Sequence, residues 1–473
     1  MTVKTSVTNI FQGTLPQLLA TISGTLFAIS DGMTVGWTGP MIPYLISEES
    51  HIKTTRYEAE WLESVLLAGA ACGLPATMFF TEKIGRKKSL LLASFSVLFA
   101  WIAIALATNM IYLFVARFIC GMAGNMAFVA APMYVAEIAD QKIRGFLASI
   151  IYLMMLTGCL TVYSVGPFAP FYTSCIIGIC IALTELAVFS FMPESPYYLL
   201  YKNKPDQARK ALEYFRSTTN VDAELKEISD AIERQKTEKG RFQDLVIIKS
   251  NRKALFIMTA LNCGQNFCGV GVIMMNMHLI LRDAGSIYMD EATTGILFAV
   301  IMLLAATVAS FQLDKYGRKL LLISSSILTG FCLVLIAVYF HLKHDGYDII
   351  SVSWIPIVSV MLYALTFKIG LGIVPIVITA EVFPAKMKAI GMTIADAMYV
   401  IWGIAALQVY QLLYVYGIHV SFYIFGACAF FLAFFTHYYI PETKGKTLEQ
   451  VQLMLKGEKE INVEKENEIP PIA

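Results

Sequence analysis

Charge is what this chain of 473 residues most lacks: Asp, Glu, Lys and Arg make up only 15% of it, against about 25% in soluble domains. Hydrophobic residues make up 57% and the mean hydropathy is +0.63, so the chain is too apolar for an ordinary water-soluble fold. A net charge of +1 gives no electrostatic case for a nucleic-acid partner. No stretch reads as a cleaved signal peptide, because Thr2–Gln12 is polar and lacks a basic start before a short apolar core. No Asn-x-Ser/Thr sequon occurs, so no N-glycan is expected. The nine cysteines are scattered, mostly within apolar runs, and Cys263 and Cys268 have no ligand cluster around them. They read as small apolar fillers. The six histidines are dispersed, and no nucleophile elbow is present. Neither an enzymatic reaction nor a metal or cofactor is expected.

What is there is long apolar runs. Twelve are read, over 18–38, 61–80, 89–108, 111–136, 146–166, 171–192, 254–281, 293–313, 320–341, 353–378, 390–414 and 419–440. Each is near the ~20 residues that let a helix cross a ~30 Å hydrocarbon core. Only helices satisfy their own backbone there. The polar segment 201–253 separates six runs from six, with helical patterning over 206–215 and 222–239. The expected organisation is a terminus over 1–17, a six-helix bundle over 18–192, a linker over 193–253, a second bundle over 254–440 and a tail over 441–473. Even-numbered loops hold eleven Lys and Arg residues and odd-numbered loops four. By the positive-inside rule the even loops, the linker and both termini are expected in the cytoplasm.

Three motifs recur in order. Thr81-Glu-Lys-Ile-Gly85-Arg-Lys returns as Leu313-Asp-Lys-Tyr-Gly317-Arg-Lys, 232 residues on. Pro132…Glu137…Arg144 returns as Pro375…Glu381…Lys388, and Pro193-Glu-Ser-Pro196 as Pro441-Glu-Thr-Lys444. Three echoes at nearly one spacing indicate a duplicated half. Gly allows the tight turn that antiparallel helices need, and an Arg fork reaches carboxylates and helix C-terminal carbonyls. Glu137, Glu381, Glu194 and Glu442 are its partners by charge. Plain topology signalling is the alternative reading.

On these motifs the chain resembles the sugar-porter branch of the major facilitator superfamily over roughly 15–450. Trp37 in Gly36-Trp-Thr-Gly-Pro40 and Pro196-Tyr-Tyr-Leu199 are similar to the insect trehalose-transporter-like members. The resemblance implies an all-α membrane protein of twelve helices in two pseudo-repeated bundles. It also implies cytoplasmic latches built from Glu82, Arg86, Glu137, Arg144, Glu194, Asp314, Arg318, Glu381, Lys388 and Glu442. Glu82 stands where the family usually has Asp, and Lys388 where it usually has Arg. Latches of this kind close the inner gate when the outside is open.

Further sites follow from the resemblance. Asp31 and Arg117 correspond to an Asp–Arg pair of proton-coupled members; a hydrated Asp near the outer mouth is the alternative. Asn262-Cys-Gly-Gln265-Asn266-Phe-Cys-Gly269 resembles an amide motif whose side chains bond sugar hydroxyls. Amides offer donors and acceptors without charge. Tyr152, Lys368 and Tyr399 stand where other members carry Gln, Glu and Asn. Gly370, Gly372 and Pro375 break the tenth run at depth, as gates and binding sites do. Lone charges at that depth are costly, so Lys368 is expected to pair with Asp396; a snorkelling Lys and a capping Asp are the alternative. The function implied is facilitative transport of a small carbohydrate, trehalose or a hexose, by a plasma-membrane monomer. Proton-coupled symport through Asp31 and Arg117, and a sugar sensor that transports poorly, stay open beside it. The partners implied are the sugar, the bilayer and, for symport, protons.

Overall fold

The computed structural model describes residues 14–140, 143–237, 243–384, 387–444, 446 and 448–456. Among them are twelve helices long and apolar enough to cross a membrane, and no strand. Spans 1 to 6 are Thr14–Leu45, Arg56–Lys83, Arg86–Ala105, Met110–Ile138, Arg144–Val165 and Phe171–Phe189. Spans 7 to 12 are Lys249–Ala284, Glu291–Ala309, Arg318–His344, Ile350–Thr379, Ile390–Tyr416 and Ile418–Tyr439. Several helices outrun the apolar runs, because polar caps extend them past the apolar stretch. Span 2 starts at a capping box, with Thr55 accepting from the Glu58 N–H and Glu58 from the Thr55 N–H. Large apolar side chains such as Phe95, Ile176, Leu304, Phe331 and Phe434 stand exposed on the outer surface, the arrangement of a protein solvated by lipid.

In the first bundle span 2 packs on span 4, span 3 on spans 4 and 6, and span 1 on span 5. In the second, span 9 packs on spans 10 and 12, span 8 on span 10, and span 7 on span 11. Spans 1, 2 and 5 meet spans 7, 11 and 8 across the interface. Small residues bring the backbones together. A Cβ on Gly121 would lie 1.9 Å from the Leu66 carbonyl oxygen, so only Gly allows spans 2 and 4 this approach.

Three spans are interrupted. Span 1 is broken at Thr25 and Trp37. Span 7 turns at Cys268–Gly269, with Gly269 at φ +80°. Span 10 breaks between Lys368 and Val374, where the freed Leu371 N–H donates to Ser325 Oγ at 3.0 Å and the Gly372 N–H to the Phe367 carbonyl at 2.8 Å. Such repairs let a helix break at membrane depth. The linker helices are observed at Pro205–Arg216 and Asp222–Thr237, with shorter ones at Pro196–Tyr201 and Asp244–Ile247. Arg216 forks onto Glu224 and donates to the Ile138 carbonyl at 2.8 Å, docking the linker on the end of span 4.

Candidate functional site

The side of the molecule that carries the Gly-Arg-Lys loops holds two similar constellations. In the first bundle Arg86 pairs with Glu137 at 2.8 Å, and the other Glu137 oxygen accepts from the Ser195 hydroxyl. Glu194 accepts the N–H groups of Lys87 and Ser195 at 3.0 and 2.9 Å. In the second bundle Arg318 pairs with Glu381 at 3.1 Å, and Glu381 accepts from the Thr443 hydroxyl. Glu442 accepts the N–H groups of Arg318 and Lys319 at 3.1 and 3.0 Å. Gly85 and Gly317 have φ of +102° and +88°, which turns the N–H groups at each helix start onto the carboxylate. Ser195 belongs to the first constellation and Thr443 to the second, and the sequence reading missed both. Their signal was present, since each directly follows the repeated glutamate.

Burial pushes the Glu194 carboxyl above the usual range, against the pull of its two backbone bonds. At Glu442 burial acts the same way, but the N–H groups of Lys444, Arg318, Lys319 and Thr443 outweigh it and hold the carboxyl low. Both constellations lie inside one bundle each. Two expected members are elsewhere. Glu82 is exposed and makes no ion pair among the described residues. Arg144 is exposed and reaches the Ala139 carbonyl at the end of span 4 instead of a carboxylate. The side chains of Asp314 and Lys388 lie outside the described residues.

At mid-depth the expected Lys368–Asp396 ion pair is not formed. Lys368, 3% exposed, donates to the Tyr152 hydroxyl across the bundle interface, its Nζ 4.8 Å from the Tyr152 ring centre. The reason is packing order. Span 11 leans on spans 2 and 7, while the Lys368 stretch of span 10 leans on spans 8 and 9. Neighbours in sequence are not neighbours here. The Asp31–Arg117 pair is likewise not formed at ion-pair distance. Arg117, fully buried, donates to the carbonyls of Leu62 and Thr34. Asp31 faces Gly124, where an added Cβ would lie 2.3 Å from its Oδ1. That is two helical turns along span 4 from Arg117, about 10 Å.

The amide motif divides its work. Asn266 donates to the Tyr399 carbonyl at 3.2 Å and Asn262 to the Ala395 carbonyl at 3.2 Å, stitching span 7 to span 11. Gln265 is buried, and its side-chain oxygen has no partner. Tyr399 is 41% exposed, on the same stitched pair of spans.

On the opposite side the bundles are joined directly. Asn276 donates to Glu63 at 3.0 Å, Gln408 to Ser64 at 2.7 Å and Gln411 to the Glu60 carbonyl at 3.0 Å. Arg56 lies 3.6 Å from Asp283, with its guanidinium 3.9 Å from the Tyr414 ring centre. Tyr163 donates to the Met274 carbonyl. Sequence reading singled out none of these residues. Their contacts are not repeated, and apart from the charge of Glu63 inside the run 61–80 nothing local marks them.

Two bundles closed together on one side, with twin ion-pair constellations on the other and broken helices between, define a membrane carrier of the major facilitator architecture. The chain belongs to the Sugar (and other) transporter family, whose profile matches residues 17–455. It is 28% identical over 449 residues to the facilitated trehalose transporter Tret1 of Drosophila virilis, covering 93% of this chain and 49% of that protein. It therefore spans about half the length of that relative. It is 27% identical to Tret1 of Apis mellifera ligustica, covering 93% of this chain and 88% of that one. Among solved structures it is similar to the inward-open xylose transporter XylE from E. coli, at TM-score 0.75 and 22% identity, covering 93% of this chain and 98% of that one.

Proposed function

We propose that the protein carries a small carbohydrate, trehalose or a hexose, across the plasma membrane by alternating access, without obligatory coupling to an ion gradient. In this reading the side with the twin constellations faces the cytoplasm, as the positive-inside count favours, and the joined side faces outward. The observation that carries it is the region around Gln265. A buried amide oxygen without a partner sits on span 7 one turn before its break, on the helix stitched to span 11, with Tyr399 on span 11 and the Tyr152–Lys368 contact joining the two bundles. A sugar hydroxyl is a donor suited to that oxygen. The trehalose transporters named above supply the substrate class. The facilitative form is preferred because Asp31 and Arg117 make no ion pair, the Arg117 guanidinium bonding carbonyls instead.

Uptake of labelled trehalose and glucose into proteoliposomes tests the proposal. Gln265→Ala is expected to lower uptake at sub-saturating sugar, while transport at saturation falls less. Unchanged uptake would place the sugar elsewhere. Uptake of an amine or organic anion in place of any sugar would overturn the substrate class.

A further inference from the structure

Glu63 stands on span 2 where the outward ends of the two bundles meet, and it is fully buried. Its Oε2 accepts from Asn276 Nδ2 on span 7, at the one residue of Val270–Ala284 with non-helical backbone. Its Oε1 has no partner, and neither has Asn276 Oδ1. No cation lies at ion-pair distance among the described residues. The Arg117 guanidinium is committed to two carbonyls, with Nη2 left over. The Thr38 hydroxyl from span 1 lies close enough to interact with the Glu63 carboxyl, short of full hydrogen-bond geometry.

A carboxylate only accepts hydrogen bonds. As an anion Glu63 would bury a charge between two bundles with Arg117 only beyond ion-pair distance, and would leave Asn276 Oδ1 without a donor. As an acid it gains an O–H that can donate to Asn276 Oδ1 while the acid's other oxygen accepts from Nδ2. One proton thus removes the buried charge and supplies the donor that the Asn lacks. We propose that Glu63 is a proton-binding site of the outer gate. It holds a proton while the outward ends are closed and returns it to the outside as they part. Water and the free Arg117 Nη2 then stabilise the anion. The inference rests on the alternating-access reading but concerns the gate and not the sugar.

The charged and titratable groups around Glu63 are Arg117 from span 4, Tyr163 from span 5, Tyr410 from span 11 and Glu60 one turn away on its own helix. His278 follows on span 7, its ring 5.0 Å from that of Tyr163. It is the other group near the gate that ordinarily titrates close to neutral pH, so it is the control.

The closed state binds the extra proton, so acid favours closure, by at most about tenfold in the closed-to-open ratio per pH unit. Hydrogen exchange of the purified full-length protein without sugar reads this directly, in peptides covering 56–66 and 272–284. After correction for intrinsic rates, protection is expected to rise several-fold as pH falls from about 7.5 to about 5.5. Glu63→Gln, which carries its own donor, should be protected at both values with no pH response. His278→Gln should respond like the parent. A flat response in the parent, an unchanged response in Glu63→Gln, or a response abolished by His278→Gln alone would each overturn the proposal. Should Glu63→Gln fail to fold, Glu63→Leu carries the test, because it removes the titrating group. A full parental response in that variant overturns the site. Sugar uptake in proteoliposomes is a separate readout, so the gate and the substrate reading fail independently.

Discussion

At the scale of single residues, the membrane interior makes every polar atom account for itself. Lys368 is the sharpest case. Its ammonium is buried at the bundle interface and has a neutral partner, the Tyr152 hydroxyl. Tyr152→Phe removes the acceptor and leaves the ammonium stranded, a loss of about 1–3 kcal/mol. Lys368→Met removes the charge that needs the acceptor. Adding Tyr152→Phe to Lys368→Met should therefore cost little more than Lys368→Met alone. Thermal unfolding of the four proteins in one detergent checks this, and simple additivity of the two losses would rule the contact out. Lys368 was legible as an oddity, a charge in an apolar run. Its partner was not. Sequence reading chose Asp396 because opposite charges attract, but packing put span 11 against spans 2 and 7. Gln265 was legible by motif. The structural task of Asn266 was not, since a buried amide looks the same in sequence whether it binds sugar or a backbone carbonyl.

At the scale of elements, each constellation is a carboxylate gripped by the start of the helix that follows a glycine. A Cβ on Gly85 would come within 2.4 Å of Glu194 Oε2, and one on Gly317 within 2.9 Å of Glu442 Oε2. Positive φ adds about 1–3 kcal/mol of strain for any other residue. Gly85→Ala and Gly317→Ala should both lower the unfolding temperature, and Gly85→Ala should lower it more. The reverse order would mean that the contact distance does not set the cost. The two carboxyls also respond oppositely to acid. Glu442 is held low in the fold, so its contribution is present above the usual carboxylate range and lost as pH falls through its lowered value. Glu194 is raised, so its contribution is greatest in acid and declines as pH rises through its raised value. The stability deficit of Glu442→Gln should therefore shrink as pH is taken below about 4.5, while that of Glu194→Gln should not shrink. Thermal melts across that range decide it, and equal behaviour would refute the distinction. These elements were the most legible part of the chain. Duplication prints the same motif twice, and a short loop between two long apolar runs leaves its residues few places to go.

At the scale of the molecule, the two sides differ in kind. The repeated constellations hold each bundle together. The contacts on the opposite side hold the bundles to one another, and they are not repeated. The offset that carries Gly85 to Gly317 carries Glu63 to Gly295, which packs against His278. An asymmetric interface leaves no echo to find, so this half of the mechanism was invisible in the sequence. In the proposed alternating-access cycle these contacts break each time, and weakening one should favour the outward-open form without harming either bundle. Gln411 is the suitable place. It donates to the Glu60 carbonyl at 3.0 Å, joining span 11 to span 2. Each neutral hydrogen bond contributes about 0.5–1.5 kcal/mol, so Gln411→Ala should raise the outward-open share by about two- to tenfold per bond lost. A ligand that binds only the outward-open form has an apparent dissociation constant equal to the intrinsic one divided by the fraction of protein in that form. A bulky, impermeant sugar analogue added outside should therefore bind Gln411→Ala more tightly by the same factor, while the unfolding temperature of the protein changes little. Equal affinity in parent and variant would show that this contact does not hold the outer gate.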